Sequence, residues 1–206
     1  MSPLEPLDGL IARDLQADLS GVVIGREIIV LGETSSTNDA ILQVTERNSK
    51  EGLVVFAEHQ TAGRGQRGNR WESAPGKDLC FSILLRPKID ISKSPELTAW
   101  AAKAVADTIQ NDFSLRTTIK LPNDVQINGR KVAGVLVEMR AQEKAPHLAI
   151  AGIGINVNQS LQDFARELHG RAISVAMALD RQVDRQKFAV AVLRNLDRTY
   201  RETFGS

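Results

Sequence analysis

Apolar positions along the chain switch between a period of three to four residues and a period of two, and the switches outline its elements. Leu7, Leu10, Ile11, Leu15 and Leu19 recur at helical spacing and predict a short amphipathic opening helix. Residues 22–31 are rich in β-branched side chains and predict a strand. A polar stretch follows, in which a hydroxyl or Asn can cap a helix beginning near Asp39. Strands are expected at 53–60 and 78–86, on either side of a polar, glycine-rich segment. Ser94-Pro95 reads as a helix start, with Ser as cap and Pro in the first turn, running through Trp100 and Val105 to about Asn111. Beyond it come a strand at 116–120, a Pro-Asn-Asp turn and a short strand at 125–127. Asn128-Gly129 is a hairpin signal leading into a strand at 131–140. Residues 147–158 are apolar on both faces, the pattern of a buried strand. The remainder is expected to be helical, with Phe188, Val192, Leu196, Tyr200 and Phe204 on one face of the last helix. Helices alternate with strands while a hairpin breaks parallel winding. The predicted class is therefore α+β (or α/β), with a mixed, largely antiparallel sheet flanked by helices.

Composition narrows the function. A chain of 206 residues with 42% apolar content fits one large domain better than two. Lys and Arg number 26 against 25 Asp and Glu, a net charge of +1, so bulk attraction to nucleic acid or an anionic membrane is not supported. No apolar run approaches the ~20 residues that cross a bilayer, and the acidic, polar opening segment lacks the pattern of a secretory signal. The single cysteine, Cys80, cannot form an internal disulfide, which agrees with a cytoplasmic location. Between Leu79 and Phe81 it reads as a small buried hydrophobe. His59, His147 and His169 are scattered, no Cys/His pair has metal-ligand spacing, and no Ser sits in a nucleophile elbow.

Two polar segments carry the candidate chemistry. Gly63-Arg64-Gly65-Gln66-Arg67-Gly68 formally matches G-x-G-x-x-G, but the residues after it lack helical spacing and contain Pro75-Gly76, so a dinucleotide fold does not follow. Arg64, Arg67 and Arg70 put three cations within seven residues, on a backbone that glycines let approach a ligand closely. Either a solvated basic turn or an anion-binding flap fits this pattern. The second segment, Lys120-Leu121-Pro122-Asn123-Asp124, gathers a cation, an amide and a carboxylate around one turn. Lys120 ends a strand and could stabilise charge on a phosphoryl or carboxyl oxygen, and Asp124 could orient an amine or accept its proton. An ordinary exposed β-turn fits as well. Lys131 either points back to this region or is a solvated edge lysine.

Taken in order, Ser36-Thr37-Asn38, Glu58 to Gly65 with Trp71, Lys120 to Asp124, Lys131 to Glu138 and Gly152 to Asn156 closely resemble the biotin–protein ligase family. The resemblance implies a catalytic domain related to class II aminoacyl-tRNA synthetases and a two-step reaction. Biotin and ATP would form biotinyl-5′-adenylate and pyrophosphate, and a carrier-protein lysine would then take the biotin and release AMP. By resemblance, Ser36, Thr37, Asn38 and Gln60 meet biotin, with Gly63, Arg64, Gly65, Gln66, Lys120 and Gly134 completing its site. Arg67, Trp71, Asn123, Lys131 and Asn156 would meet the nucleotide, and Lys120, Asp124 and Arg64 would act in catalysis. Mg²⁺ would arrive on ATP, without a metal site of its own. The implied partner is a biotin carboxyl carrier protein, such as the acetyl-CoA carboxylase subunit, with no nucleic acid and no membrane; a homodimer is left open. The alternatives are a lipoate- or octanoate-type ligase and a non-catalytic biotin-binding homologue.

The chain departs from the family pattern in three ways. Leu121 stands where the family usually has Trp, which predicts looser packing around Lys120, and Gln66 stands where Arg is common. Many relatives also continue into a small C-terminal β-barrel, and some carry a winged DNA-binding domain. The 35 residues before Ser36 are too few for the latter, so a single catalytic domain over 1–206 is expected.

Overall fold

The computed structural model describes residues 9–45, 50–142 and 147–205. In chain order the elements are α1 (Ala12–Ala17), β1 (Glu27–Leu31), α2 (Thr37–Thr45), β2 (Leu53–Ala57), β3 (Asp78–Leu85) and α3 (Ser94–Phe113). They continue with β4 (Thr117–Lys120), β5 (Asp124–Ile127), β6 (Arg130–Arg140), β7 (Leu148–Asn156), α4 (Val175–Leu179) and α5 (Arg185–Phe204). The seven strands form one sheet in the order β1-β2-β3-β7-β6-β5-β4. Only β1 and β2 run parallel, and every other neighbour is antiparallel. The expected mixed, largely antiparallel sheet is therefore the observed one.

Strand alternation sends successive side chains to opposite faces, and here it builds two unequal layers. Val54 and Phe56 of β2, Leu79, Phe81, Ile83 and Leu85 of β3, and Ala149, Ala151, Ile153 and Ile155 of β7 join the larger core with α1, α3 and α5. The other face is covered in part by α2, where Ala40 and Ile41 pack on Leu53, Val55, Leu84, Leu148 and Ile150. Each such Val, Leu, Ile or Phe side chain, once fully buried, contributes about 1.5–3 kcal/mol relative to exposure. The second layer is short. Beyond it the same face of the sheet carries small or polar residues, and the site lies there.

Several local expectations are corrected. The strand expected from residue 22 begins only at Glu27, because the Val23 and Ile24 N–H groups both donate to Asp197 Oδ1 on α5, at 2.7 and 2.9 Å. The opening helix is a short one; Leu10, Leu15 and Leu19 are buried but Ile11 is exposed, and Leu7 lies outside the described residues. Ser94 is the first residue of α3 and makes no side-chain cap, since a 3₁₀ turn capped by Asp90 runs straight into the helix. Residues 157–174 are mostly irregular rather than helical. There Asn158 exchanges side-chain hydrogen bonds with the backbone of Val183, and the Ser174 hydroxyl donates to the Gln159 carbonyl. Such side-chain bonds compete with a helical ladder. The Asn128-Gly129 hairpin is as expected, with both residues at positive φ, 51° and 73°.

Candidate functional site

Strand register lines up one row of residues across five strands. Lys120 on β4 pairs with Asp124 on β5, Asp124 with Gly134 on β6, Gly134 with Gly154 on β7, and Gly154 with Cys80 on β3. In the row beside it, Gly152 pairs with Leu136 on one side and Ser82 on the other. Three glycines thus leave the middle of this face without side chains. Trp71 lies over the first row: its indole Nε1–H donates to Cys80 Sγ at 3.1 Å, and a Cβ at Gly154 would overlap its ring. Asn38 lies over the second row, where a Cβ at Gly152 would overlap its amide. Burial, reinforced by the charge of Asp78, pushes the Cys80 thiol well up, so it stays a neutral acceptor for the indole rather than a nucleophile.

A directed hydrogen-bond chain fixes the Ser-Thr-Asn segment. Asn38 Oδ1 can only accept, so the buried Ser82 hydroxyl donates to it at 2.6 Å. Ser82 Oγ also lies 2.8 Å from Thr37 Oγ1, whose single proton is shared between Ser82 Oγ and the acceptor Gln60 Oε1 at 3.1 Å. Asn38 Nδ2 in turn donates to Glu138 Oε2 at 2.6 Å. Gln60 Oε1 accepts from the Thr37 N–H at 2.7 Å. Gln60 lines the small cleft, and its side-chain N–H groups make no hydrogen bond among the described residues.

The Gly-Arg segment folds back on itself as a strap instead of opening a helix. The Gly65 N–H donates to the Asn69 carbonyl at 2.7 Å, and the Trp71 N–H to that of Gly63 at 2.9 Å. Between them lies a 3₁₀ turn, Gln66–Gly68, in which Arg67 takes a φ of 57°. The Arg64 guanidinium grips both carboxylate oxygens of Asp39 on α2, with Nη2 to Oδ1 at 2.9 Å, and reaches Glu138 Oε2 at 3.4 Å. The Arg64 hydrogen bonds hold the Asp39 carboxyl below its usual range, so the pair persists through neutral pH.

Two adjoining clefts result. The first has Ser36, Thr37, Asn38 and Gln60 on one side and Arg64 and Gly65 of the strap above, with Gly134, Gly152 and Gly154 at its floor. The second, larger one is lined among others by Arg70, Lys120, Asp124, Asn156 and Arg171. Trp71 and Lys131 belong to both. Lys131 does turn back towards the Lys120 region: its Nζ lies 2.7 Å from Asp124 Oδ1 and 5.6 Å from the Trp71 ring centroid. The larger cleft therefore offers cations from the strap (Arg70), two strands (Lys120, Lys131) and the 166–172 segment (Arg171). A small acid could sit in the first cleft with its carboxyl end towards these cations.

A model of the biotin/lipoate A/B protein ligase family matches residues 31–156 of this chain. The chain belongs to that family. It is 38% identical over 189 residues to the bifunctional ligase/repressor BirA of Bacillus subtilis, covering 92% of this chain and 58% of that protein. It is 31% identical over 198 residues to the biotin–[acetyl-CoA-carboxylase] ligase of Mycobacterium tuberculosis, covering 93% and 70%. In structure it resembles the biotin protein ligase of Aquifex aeolicus in complex with biotin and ATP, with a TM-score of 0.73, 29% identity, and coverage of 87% of this chain and 72% of that one. The chain thus spans little more than half the length of its Bacillus relative.

For this ligase-family chain, most of the expected site residues line one of the two clefts. Asn123 lines the first, with its Nδ2 donating to the Val135 carbonyl at 3.2 Å. Asn156 lines the second, but its amide is committed to the carbonyls of Ile173 and Lys131, so it ties β7 to the segment that closes that wall. Gly63 faces an outer groove beside Ser35 and Asp39, and Gln66 and Arg67 line neither cleft. Leu121 is 79% exposed, so its shorter side chain alters the surface beside Lys120 and not the packing around it. Asp39, Ser82 and Arg171 were not singled out as site residues from the sequence. Glu138 and Gly152 sit inside the matching motifs, and strand alternation from Gly134 and Gly154 places both on the site face.

Proposed function

We propose that this domain joins biotin to ATP, forming biotinyl-5′-adenylate, and transfers the biotin to a lysine of a biotin carboxyl carrier protein. The observation that carries the reading is the pair of contiguous clefts sharing Trp71 and Lys131, one small with amide and hydroxyl groups, the other cationic. Biotin's ureido ring would take hydrogen bonds from Ser36, Thr37, Asn38 and Gln60, with Gly134 leaving room and the strap residues Gly63 to Gln66 closing above. Its carboxylate oxygen would attack the α-phosphorus of ATP as the bond to pyrophosphate breaks. Displacement at phosphorus needs alignment and charge neutralisation more than a covalent residue, and Lys120, Lys131, Arg70 and Arg171 supply the cations. Trp71 offers an aromatic wall to the nucleotide, with Asn123 beside it as a further contact.

The carboxylates lining the larger cleft are Glu72 and Asp124, and Asp124 is paired with Lys131. That donor set suits a Mg²⁺ ion that arrives on the phosphates and keeps most of its own water. When bound, the ion would neutralise phosphate charge. In the second step the carrier's amine attacks the acyl carbon, AMP leaves, and the amine gives up a proton. Lys131, drawn to phosphate, releases Asp124 to orient that amine and accept its proton.

Biotin-dependent exchange of pyrophosphate into ATP tests the proposal, with lipoate as the comparison substrate and Lys120→Ala as the control. Exchange with biotin but not lipoate supports it. Exchange only with lipoate would make the chain a lipoate-type ligase, and biotin binding without exchange would make it a binding module.

A further inference from the structure

We infer that Asp78 is a positioning residue for the Trp71 wall, gripping the segment that carries the indole, and that loss of its proton loosens the grip. The inference rests on the ligase reading for its effect on ATP, but not for the grip itself.

Strand alternation puts Asp78, Cys80 and Ser82 on the same face of β3, the one that carries the site. Cys80 Sγ takes the Trp71 indole N–H at 3.1 Å, and Asp78 Oδ2 takes the Ala74 N–H at 3.0 Å. Two successive positions on one face of a rigid strand thus grip the segment twice, once by its aromatic side chain and once by its backbone three residues on. Between the two, the Ser73 hydroxyl oxygen accepts from the Gln60 N–H at 3.1 Å. The segment that Asp78 holds therefore joins the wall of the larger cleft to Gln60 of the small one.

Asp78 is fully buried, whereas residues 71–77 above it are half-buried or exposed. Around its carboxyl stand Arg185 of α5, Glu58 beyond β2, Cys80 on its own strand and the neighbouring Lys77. Arg185 donates from Nη1 to the Asp78 carbonyl at 2.9 Å and from Nη2 to Glu58 at 2.8 Å, so Glu58 offsets its charge. Cys80 is a neutral thiol, and Lys77 is paired with Asp163. Burial raises the Asp78 carboxyl to about 7, against the Ala74 N–H, the Ser73 and Cys80 side chains and the Arg185 charge. Ionisation therefore favours any opening of the segment that returns the carboxyl to water. Closure is firmest near the ordinary carboxyl value of about 4, weakens as pH rises towards 7 and stays level above it.

Amide hydrogen exchange of residues 71–77, corrected for intrinsic base catalysis and compared with the edge strand β4, tests the grip. In the wild type, opening of this segment should grow by up to about tenfold per pH unit between pH 5 and 7 and level off above, while β4 shows no such trend. Asp78→Asn keeps an acceptor for the Ala74 N–H but does not titrate, so its opening should not vary with pH. The same pH profile in both proteins overturns the role of the proton. Asp78→Ala removes the acceptor and should open the segment about threefold to tenfold more than Asp78→Asn, the usual effect of one lost hydrogen bond. Equal opening in these two variants overturns the grip. Should Asp78→Ala fail to fold, the Asp78→Asn profile still decides, because a carboxyl that does not hold this segment would leave its opening indifferent to pH.

In pyrophosphate exchange, Asp78→Ala should raise the KM for ATP about threefold to tenfold with little change in kcat, and Asp78→Asn should restore it. An unchanged KM for ATP in Asp78→Ala, with its segment open, overturns the part that Asp78 plays at the nucleotide wall. If the wild type exchanges no pyrophosphate, the ligase reading fails while amide exchange still decides the grip.

Discussion

Gly154 lies directly beneath the indole of Trp71, so close that a methyl group at its Cα would occupy the space of the ring. The aromatic wall between the clefts is therefore set by a residue on β7 with no side chain. Gly154→Ala is expected to lift Trp71 off the sheet and raise the KM for ATP about tenfold, while overpacking lowers stability by about 1–3 kcal/mol. Exchange kinetics at varied ATP, together with denaturant unfolding, check both. A normal KM for ATP in this variant would show that the ring does not form the nucleotide wall.

Lys120 ends β4 in register with Asp124 and is exposed at the mouth of the larger cleft. Lys120→Ala should lower the rate of pyrophosphate exchange by about 10²–10³, the usual effect of removing one donor aimed at developing charge. As an exposed site it should change stability by less than about 0.5 kcal/mol. Exchange and thermal unfolding on the same preparation separate the two effects.

Gln66 stands in the strap turn where an arginine is common in the family, and it lines neither cleft. Gln66→Arg should add a charge-assisted contact to the bound adenylate, about 1.5–3 kcal/mol. The escape of free biotinyl-adenylate is then expected to slow by roughly tenfold to a hundredfold. A quench-flow measurement of released adenylate compares the two proteins, and equal rates would contradict the expectation.

Asp78 opens β3 beneath the Trp71 segment and is fully buried; its Oδ2 accepts from the Ala74 N–H at 3.0 Å, while Oδ1 has no hydrogen-bond partner among the described residues. Burial raises its carboxyl to about 7, against the partial opposition of that N–H. An acid whose folded pKa lies above its unfolded value favours folding most at low pH. Stability from this group is present below the unfolded value near 4 and is lost as pH rises towards 7. At about 1.4 kcal/mol per pH unit, the loss is on the order of 4 kcal/mol as an upper bound. Asp78→Asn should remove this dependence, so the difference in unfolding free energy between the two proteins should change across pH 4–7 and level off above. A constant difference would place the titration elsewhere.

The candidate site was legible where motif residues and strand periodicity coincide. Lys120 and Asp124 flank a Pro-Asn turn, and once β4 and β5 are read as a hairpin their pairing follows. Asn128-Gly129 fixes the next hairpin by its demand for positive φ. The strap could be read as cationic and non-helical, because Pro75-Gly76 and the polar residues before it leave no apolar face. Its attachment could not be read. Asp39 looks like any acid in a first helical turn until folding brings Arg64 to it from 25 residues away.

What the sequence determined by itself was the alternation of elements, the hairpin, the class of sheet and the set of polar groups offered for chemistry, since these depend on local periodicity and turn preference. Tertiary structure decided which glycines form the floor, which acid neutralises Arg64, and that Asn156 and Asp197 serve the backbone. Those outcomes depend on register and on packing between distant segments, where a shift of one residue in a strand sends every side chain to the other face.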